Sequence, residues 1–314
     1  MTVVADTPPA RRRRTAHRSA PHAPGGGTGP RARCRDTRRR AETLGYVSAG
    51  VLSALVFLTP LAWAVLRAFQ SEQTLTAPPN SASLTDLTWR NFRGIFSASV
   101  GLWHFVLNSL LVAGGTALLV TLTATLGGYG FARYRFRGSN AVLGLVLVSM
   151  MVPFQAILTP LFLELNALGL TDSRFGLVLF STTMNLPFGV FVMRNAFLTI
   201  PHEIEESAKV DGASVPQMLV RVLRPLVLPG MLTVLLYAFL ATWTDFLGAL
   251  TFITKSDLVT LPVELSNLQQ GVHGQVDFGY LAAGAVVSMI PCIVLYVSLQ
   301  KYYVRGLTAG ALKA

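Results

Sequence analysis

The chain has little charge and few cysteines, and each shortage narrows the class of protein. Only 13% of its 314 residues are charged, against roughly 25% in an average soluble domain. Hydrophobic residues make up 52% of the chain. The two cysteines, Cys34 and Cys292, are too few and too far apart in sequence to indicate a disulfide framework or a zinc site. This composition disfavours a soluble globular enzyme.

The positive charge is concentrated at the N-terminus. Residues 1–40 contain eleven arginines and two acids, a balance of +9, so the rest of the chain carries only +2 of the net +11. A basic tail on a nearly neutral body does not indicate a nucleic-acid partner. We predict that residues 1–43 form a disordered cytoplasmic tail. It acts either as a solvated determinant of topology or as a contact for anionic membrane lipid.

Six uncharged runs of 19 to 39 residues follow the tail, one of them interrupted only by Asp245. A helix needs about 20 apolar residues to cross the hydrocarbon core of a membrane. The chain is therefore predicted to be an all-α integral membrane protein, with one domain over residues 44–314. The predicted spans are 45–67, 106–131, 140–163, 175–194, 227–249 and 278–300.

The distribution of lysine and arginine predicts the orientation of these spans. With a cytoplasmic N-terminus, 21 of the 26 basic residues lie on the cytoplasmic side and 5 on the other, so both termini are predicted to be cytoplasmic. The first span, with Ala62–Trp63–Ala64 as a possible cleavage site, could instead be a signal peptide. Its length and its position after 40 residues of tail favour an uncleaved helix.

Prolines recur inside the predicted spans. Each removes a backbone donor and bends its helix, and bent helices around a cavity suit a transporter. The prolines are Pro60, Pro153, Pro160, Pro187, Pro229 and Pro291.

The predicted cytoplasmic loop at about 200–225 has a pattern of its own. Pro201 is suited to a helix start, Ile204 and Ala208 would share one face, and Glu205 and Lys209 would pair at i,i+4. Glycine at the end of this helix can take the left-handed conformation, and Ser214 is placed to cap a second helix with Pro216 in its first turn. Small residues are expected to be exposed, so that another protein can approach closely: Ala208, Gly212 and Ala213.

This loop resembles the EAA motif of the membrane subunits of ABC importers: Glu-Ala-Ala, three residues, Gly, about nine residues, then Ile-x-Leu-Pro. The matching residues are Glu206-Ser207-Ala208, Gly212 and Val222-Leu223-Arg224-Pro225. Ser207 replaces alanine, and Arg224 puts a charge where the motif has leucine, although the helix–turn–helix should survive.

The resemblance covers about residues 45–314 and is strongest to the smaller permease subunit of maltose-type sugar importers. Stretches that support it include Tyr129–Gly138, Met151–Pro153, Trp243–Phe246 and Gln300–Ala311. It implies a type I importer permease fold in a bacterial inner membrane. It also implies a second, homologous permease, two ATPase subunits and an extracytoplasmic solute-binding protein as partners. Glu206 would contact basic groups on the ATPase, and the coupling residues would be Glu206, Ser207, Ala208, Asp211, Gly212, Ala213 and Pro225.

No ATP-binding loop is present in the sequence. A Walker A loop needs Gly-Lys-[Ser/Thr], whereas the four lysines, Lys209, Lys255, Lys301 and Lys313, follow Ala, Thr, Gln and Leu. We therefore expect ATP to be bound by partner subunits and this chain to hold no cofactor. The five scattered histidines indicate no metal site.

Residues of the solute pathway are harder to predict. Asp245 is an acid inside an apolar run, which in membrane proteins suggests a function, and Trp243 offers an aromatic face on which sugars stack. Alternatively, Asp245 lies near the outer end of its span and bonds to a neighbouring helix. Asn185 and Gln155 are further candidates.

Other functions remain open at this point. An ion-coupled secondary transporter would be expected to show coupling sites and internal repeats, and the sequence shows neither repeated halves nor more than one intramembrane acid. A membrane scaffold is disfavoured by the loop motif. Within the ABC family, a polyol or glycerol phosphate could replace sugar as the solute.

Overall fold

Helices make up nearly all the regular structure in the computed structural model, which describes residues 30–71, 87–97, 101–270 and 276–311. Within these ranges the one β pairing is an isolated bridge between Gln70 and Leu87, so the predicted all-α class is confirmed. The helices are α1 (Pro30–Ala68), α2 (Arg90–Ser97), α3 (Leu102–Arg133), α4 (Ser139–Ser149), α5 (Phe154–Ala167), α6 (Arg174–Leu198), α7 (His202–Val210), α8 (Val215–Trp243), α9 (Leu247–Phe252), α10 (Leu261–Gln270) and α11 (Phe278–Ala311).

Five helical segments among the described residues are long and apolar enough to cross a membrane on their own. They are Thr43–Ala68, Leu102–Arg133, Arg174–Leu198, Val215–Trp243 and Phe278–Gln300. The predicted spans 45–67, 106–131, 175–194 and 278–300 agree with four of them to within about four residues.

The predicted third span, 140–163, is not one continuous helix. Helices α4 and α5 meet at a bend of 100°, and Met150 to Pro153 form the break between them. Pro153 has no N–H to continue the helical ladder, and its ring disfavours the helical conformation at Val152. The apolar run is long enough to span a membrane, but its backbone turns sharply halfway.

The predicted fifth span, 227–249, ends too late. Helix α8 stops at Trp243 and α9 begins at Leu247. Between them the Gly248 N–H donates to Asp245 Oδ1 at 3.1 Å, so a side chain takes over the role of a helical carbonyl. Asp245 therefore lies at a helix junction and not inside a helix.

Helix α1 begins earlier than the predicted tail boundary at residue 43. It starts at Pro30, inside the segment predicted to be tail, and the prediction for residues 1–29 lies outside the described residues. The described residues up to Thr59 belong to one compact unit and those from Pro60 onward to a second. Apolar side chains of α1 such as Leu52 and Phe57 are exposed, as expected for a helix in lipid hydrocarbon.

The core of the second unit is built around α3, which packs against α6 and α8. Gly128 allows the closest approach to α6: a Cβ there would lie 2.6 Å from Met193 Cβ and 2.7 Å from Arg194 N. Small residues at such crossings let membrane helices pack backbone to backbone. The core therefore fixes the ends of α3 and α6 against each other.

Candidate coupling loop and central cavity

The helix–turn–helix predicted for the loop is present. Helix α7 follows Pro201 and carries Glu203 and Glu205 in its first turn, where carboxylates favour the positive end of the helix dipole. It ends at Val210 with Asp211 as its C-cap, and Gly212 has φ +80°, a left-handed conformation that suits glycine best. The left-handed conformation predicted for Gly212 is confirmed.

The second helix of the loop continues into the membrane-crossing helix α8. The Ser214 N–H donates to Gln217 Oε1 at 3.0 Å, which satisfies a donor at the helix start. A π-helical turn follows at Met218–Leu223. The predicted survival of this element despite Arg224 is confirmed, because Arg224 is exposed beside Pro225.

One face of α7 is exposed and the other packs on the core. Glu206, Ser207, Asp211 and Gly212 are exposed. Ala208, in contrast, is only 8% exposed and belongs to the main apolar core. The prediction that Ala208 is exposed is wrong, because it shares the inward face with Ile204. Ala213 is half-buried.

Glu205 does not pair with Lys209 as predicted. Its carboxylate is bound by Arg133, the last residue of α3, with Nε–Oε1 at 2.5 Å and both side chains about 95% buried. Arg133 Nη2 also donates to the Ile200 carbonyl at 2.9 Å, and Nη1 lies 3.5 Å from His202 Nε2. Lys209 is exposed. The buried Glu205 carboxylate is thus paired with an arginine on a helix that is distant in sequence.

A cavity of about 510 Å³ lies between the bent α4–α5 pair and helices α6 and α8. Asn185 and Asp245, both predicted for the solute pathway, line it. Polar, aromatic and aliphatic side chains complete the wall, and among the described residues that form it there is no lysine, arginine or histidine. The other lining residues are Ser149, Met150, Val152, Pro153, Phe154, Phe180, Ser181, Met184, Tyr237, Ala241 and Thr242.

The other two predicted pathway residues lie elsewhere. Trp243 is 3% exposed, stacks on Phe239 and donates from Nε1 to the Ser288 carbonyl at 3.1 Å. Its indole is part of the packing between α8 and α11. Gln155 is exposed and not among the cavity residues. Neither side chain contributes to the cavity wall.

Hydroxyl groups beside Asp245 were not predicted. Ser181, Thr242 and Asp245 line both the cavity and a narrow cleft behind it that Thr260 also lines. The buried hydroxyl oxygens of Ser181, Thr242 and Thr260 have no hydrogen-bond partner among the described residues. Helical spacing could have revealed part of this set, since Ser181 and Asn185 are four residues apart in an apolar run.

The described residues do not bring together a metal site. No cluster of three or more His, Cys, Asp or Glu side chains is found there. The side chains that line the cavity offer hydroxyl, amide, carboxylate and aromatic groups.

Loops at the end of α3 away from α7 are joined by backbone contacts. Asn108 Nδ2 donates to the Asp257 and Val259 carbonyls, each at 2.9 Å. Asp172, with φ 51°, accepts bonds from the Thr254 N–H and hydroxyl and from the Lys255 N–H. Chiefly because of the Thr254 backbone bond, the pKa of Asp172 is lowered from its usual value.

Membrane-crossing helices around a polar cavity, with an exposed helical loop at one end, define a membrane transport protein. The chain belongs to the family of binding-protein-dependent transport system inner membrane components, whose sequence profile matches residues 122–309. The resemblance to ABC importer membrane subunits is thus confirmed, and this chain is a transport subunit of an inner membrane.

Relatives and solved structures agree with this family. The chain is 32% identical over 266 residues to the trehalose transport system permease of Mycobacterium tuberculosis, covering 84% of this chain and 96% of the relative. It is 30% identical to a probable ABC transporter permease of Bacillus subtilis, over 89% and 92% of the two chains. A bacterial ABC transporter that imports alginate has a similar fold, with a TM-score of 0.73, 24% identity, and 84% and 98% of the chains covered.

Proposed function

We propose that this chain forms half of the pathway of an ATP-driven importer for an uncharged sugar or oligosaccharide. The observation that carries the choice of solute is the cavity wall, whose described residues offer hydroxyl, amide and aromatic groups and one carboxylate, Asp245, but no cation. Sugars are bound by such polar groups together with aromatic faces. An anionic solute would meet the Asp245 carboxylate without a compensating positive charge.

The named functions of several relatives support a sugar. Besides the trehalose permease of M. tuberculosis, they include the trehalose/maltose permease of Thermococcus litoralis, 29% identical over 85% of this chain. The diacetylchitobiose uptake permease of Streptomyces coelicolor is also 29% identical, over 86% of this chain. Glycerol phosphate, which the sequence left open, is disfavoured by the cavity, while a polyol fits the same wall.

The exposed face of α7 and the Gly212 turn are the proposed docking element for an ATPase subunit. Glu206 and Asp211 are exposed on this element, which leaves them free to meet basic groups on a partner. The free energy that drives transport must come from ATP bound to such a partner, because the sequence lacks a Gly-Lys-[Ser/Thr] loop. Closure of two docked ATPases would move α7 as a rigid body and switch the cavity between the two sides of the membrane.

The complete assembly would contain a second, homologous permease, two ATPase subunits and an extracytoplasmic solute-binding protein. The docking loop would be cytoplasmic, as would both termini, in keeping with the bias of basic residues. Affinity purification of the tagged chain in mild detergent, followed by mass spectrometry, tests this composition. We expect a P-loop ATPase and a second permease to co-purify; recovery of the chain alone would contradict the assembly.

Gly212→Asp tests the docking element. We expect it to abolish uptake and co-purification of the ATPase while membrane insertion is unchanged. Gly169→Asp is the matched control, since Gly169 also has positive φ, at +67°, and open space around it. Equal uptake by the two variants would contradict docking through this loop.

Uptake by cells with and without the chain tests the solute. We expect chain-dependent uptake of labelled trehalose or maltose and none of labelled glycerol 3-phosphate. Asn185→Ala should reduce sugar uptake strongly, whereas Gln155→Ala, outside the cavity, should not. Chain-dependent uptake of glycerol 3-phosphate would overturn the proposed solute class.

A further inference from the structure

Arg133 joins three segments of the chain at one point. It is the last residue of α3, and its guanidinium contacts the Glu205 carboxylate on α7 and the Ile200 carbonyl just after α6. Its position at the carboxyl end of α3 also complements the negative end of that helix dipole. The side chain therefore links the ends of two core helices to the proposed docking helix.

The remaining inward contacts of α7 are apolar. Ile204 and Ala208 pack on the core, while Glu203, Glu206 and Lys209 are exposed. Apolar contact resists separation but has little directionality, so it allows a helix to slide or rotate. A buried, charged hydrogen bond has a fixed length and angle. The Arg133–Glu205 bond is thus suited to transmit displacement of α7 in a defined direction.

The helix to which α7 is joined is the central one. Helix α3 packs against both α6 and α8, and these two helices carry the cavity residues Asn185, Tyr237 and Thr242. Displacement of α7 would reach the end of α3 through Glu205 and the end of α6 through Ile200. Both paths lead to helices that form or adjoin the cavity wall.

We propose that Arg133 is a positioning residue for transport: it makes α7 and the adjoining ends of α3 and α6 move as one body when an ATPase displaces α7. This inference rests on the proposed docking of α7. It assigns Arg133 no contact with solute or ATP. The role predicts that the fold can survive loss of the ion pair while the coupling of ATP hydrolysis to the cavity does not.

The double substitution Arg133→Met/Glu205→Leu separates folding from coupling. It leaves no unpaired buried charge, and apolar replacements of buried ion pairs often preserve stability. In a background with Cys34 and Cys292 replaced by serine, Ser149→Cys places a thiol in the cavity wall. The purified transporter in proteoliposomes is then labelled with an impermeant maleimide on the side away from α7, with and without ATP and vanadate.

In the parent, trapping with ATP and vanadate should increase labelling of the cavity thiol. In the double variant we expect this increase to fall at least tenfold, with the ATPase still bound and hydrolysing ATP. The single variant Arg133→Lys, which keeps the charge, should show at least half of the parent's increase in labelling. An increase equal to the parent's in the double variant would overturn the role of Arg133.

Gly212→Asp in the same assay distinguishes the two proposals. If Gly212→Asp leaves the increase in labelling unchanged, the proposed docking of the ATPase through α7 is wrong, independently of the role of Arg133. If the double variant does not assemble, deuterium exchange of the Glu205→Gln transporter decides the question. Faster exchange confined to the amides of α7 supports the positioning role, and parental exchange rates there overturn it.

Discussion

The two ends of α3 are held by different kinds of contact. At the α7 end, a buried arginine binds a buried carboxylate and a carbonyl. At the opposite end, about 38 Å away for 25 residues of helix, Asn108 binds two backbone carbonyls and the half-buried Asp172 binds backbone and hydroxyl groups.

This difference predicts different tolerance to substitution. A buried ion pair adds little over apolar packing, but removal of one partner leaves an uncompensated charge. At the opposite end the Asp172 bonds are exposed, so water can replace them with little loss, and the buried Asn108 amide is uncharged, so its loss leaves no charge unpaired. Single substitutions at the α7 end are therefore expected to cause a large loss of stability, and those at the opposite end smaller losses. The first behaviour suits a link that must transmit motion, and the second suits loops that need only hold their shape.

The largest effect is expected for Glu205→Ala. It leaves Arg133 buried without its carboxylate, so the free energy of unfolding should fall by about 3–5 kcal/mol, measured by SDS titration in mixed micelles. Glu206→Ala, at the exposed neighbour, should change it by no more than about 0.5 kcal/mol. Similar losses of unfolding free energy for the two variants would show that the buried ion pair contributes no more to stability than the exposed Glu206 side chain.

Gly128→Ala tests the helix crossing near the same end. The added Cβ would meet Met193 and Arg194 at 2.6–2.8 Å, so α3 and α6 must separate, at a cost of about 1–3 kcal/mol. Gly130→Ala is the matched control, because a Cβ at Gly130 has nothing within 4 Å. The same SDS titration should show no loss for it; equal losses would argue against close packing at Gly128.

At the opposite end the largest expected effect is that of Asn108→Ala. Asn108 is 1% exposed. Its loss removes the donor to the Val259 carbonyl and one of the two side-chain contacts to the Asp257 carbonyl, which His104 Nε2 also contacts, at a cost of about 1–2 kcal/mol. Asn166→Ala removes an exposed amide of the same type and should be neutral. A loss as large as that of Glu205→Ala would remove the contrast between the two ends.

The sequence predicts the helices and the loop better than it predicts the cavity. Spans follow from long uncharged runs, and the Gly212 turn follows from local backbone preference, which acts within a few residues. The partner of Glu205 is 72 positions away in sequence, and no local rule distinguishes Arg133 from Lys209 as that partner. The burial of Trp243 could not be predicted for the same reason, since its packing against Phe239 and Ser288 depends on how the helices meet.

The smallest loss of stability is expected for Asp172→Asn, and its dependence on pH distinguishes it from the losses predicted above. Because folding lowers the pKa of this carboxyl, the ionised form is favoured in the native state. The resulting stability is fully present above the unfolded-state pKa of about 3.9 and is lost as the pH falls through the lower native value. The variant should therefore melt slightly below the parent at neutral pH.

The difference in Tm between Asp172→Asn and the parent should stay constant from about pH 8 to pH 5 and narrow once the pH falls below about 4. Asp257→Asn, which removes an exposed carboxylate at the same end, is the matched control at each pH. Thermal melts of the purified chain in detergent across this range provide the measurement. A difference that widens in acid would mean that the protonated carboxyl of Asp172, and not the ionised one, stabilises these loops.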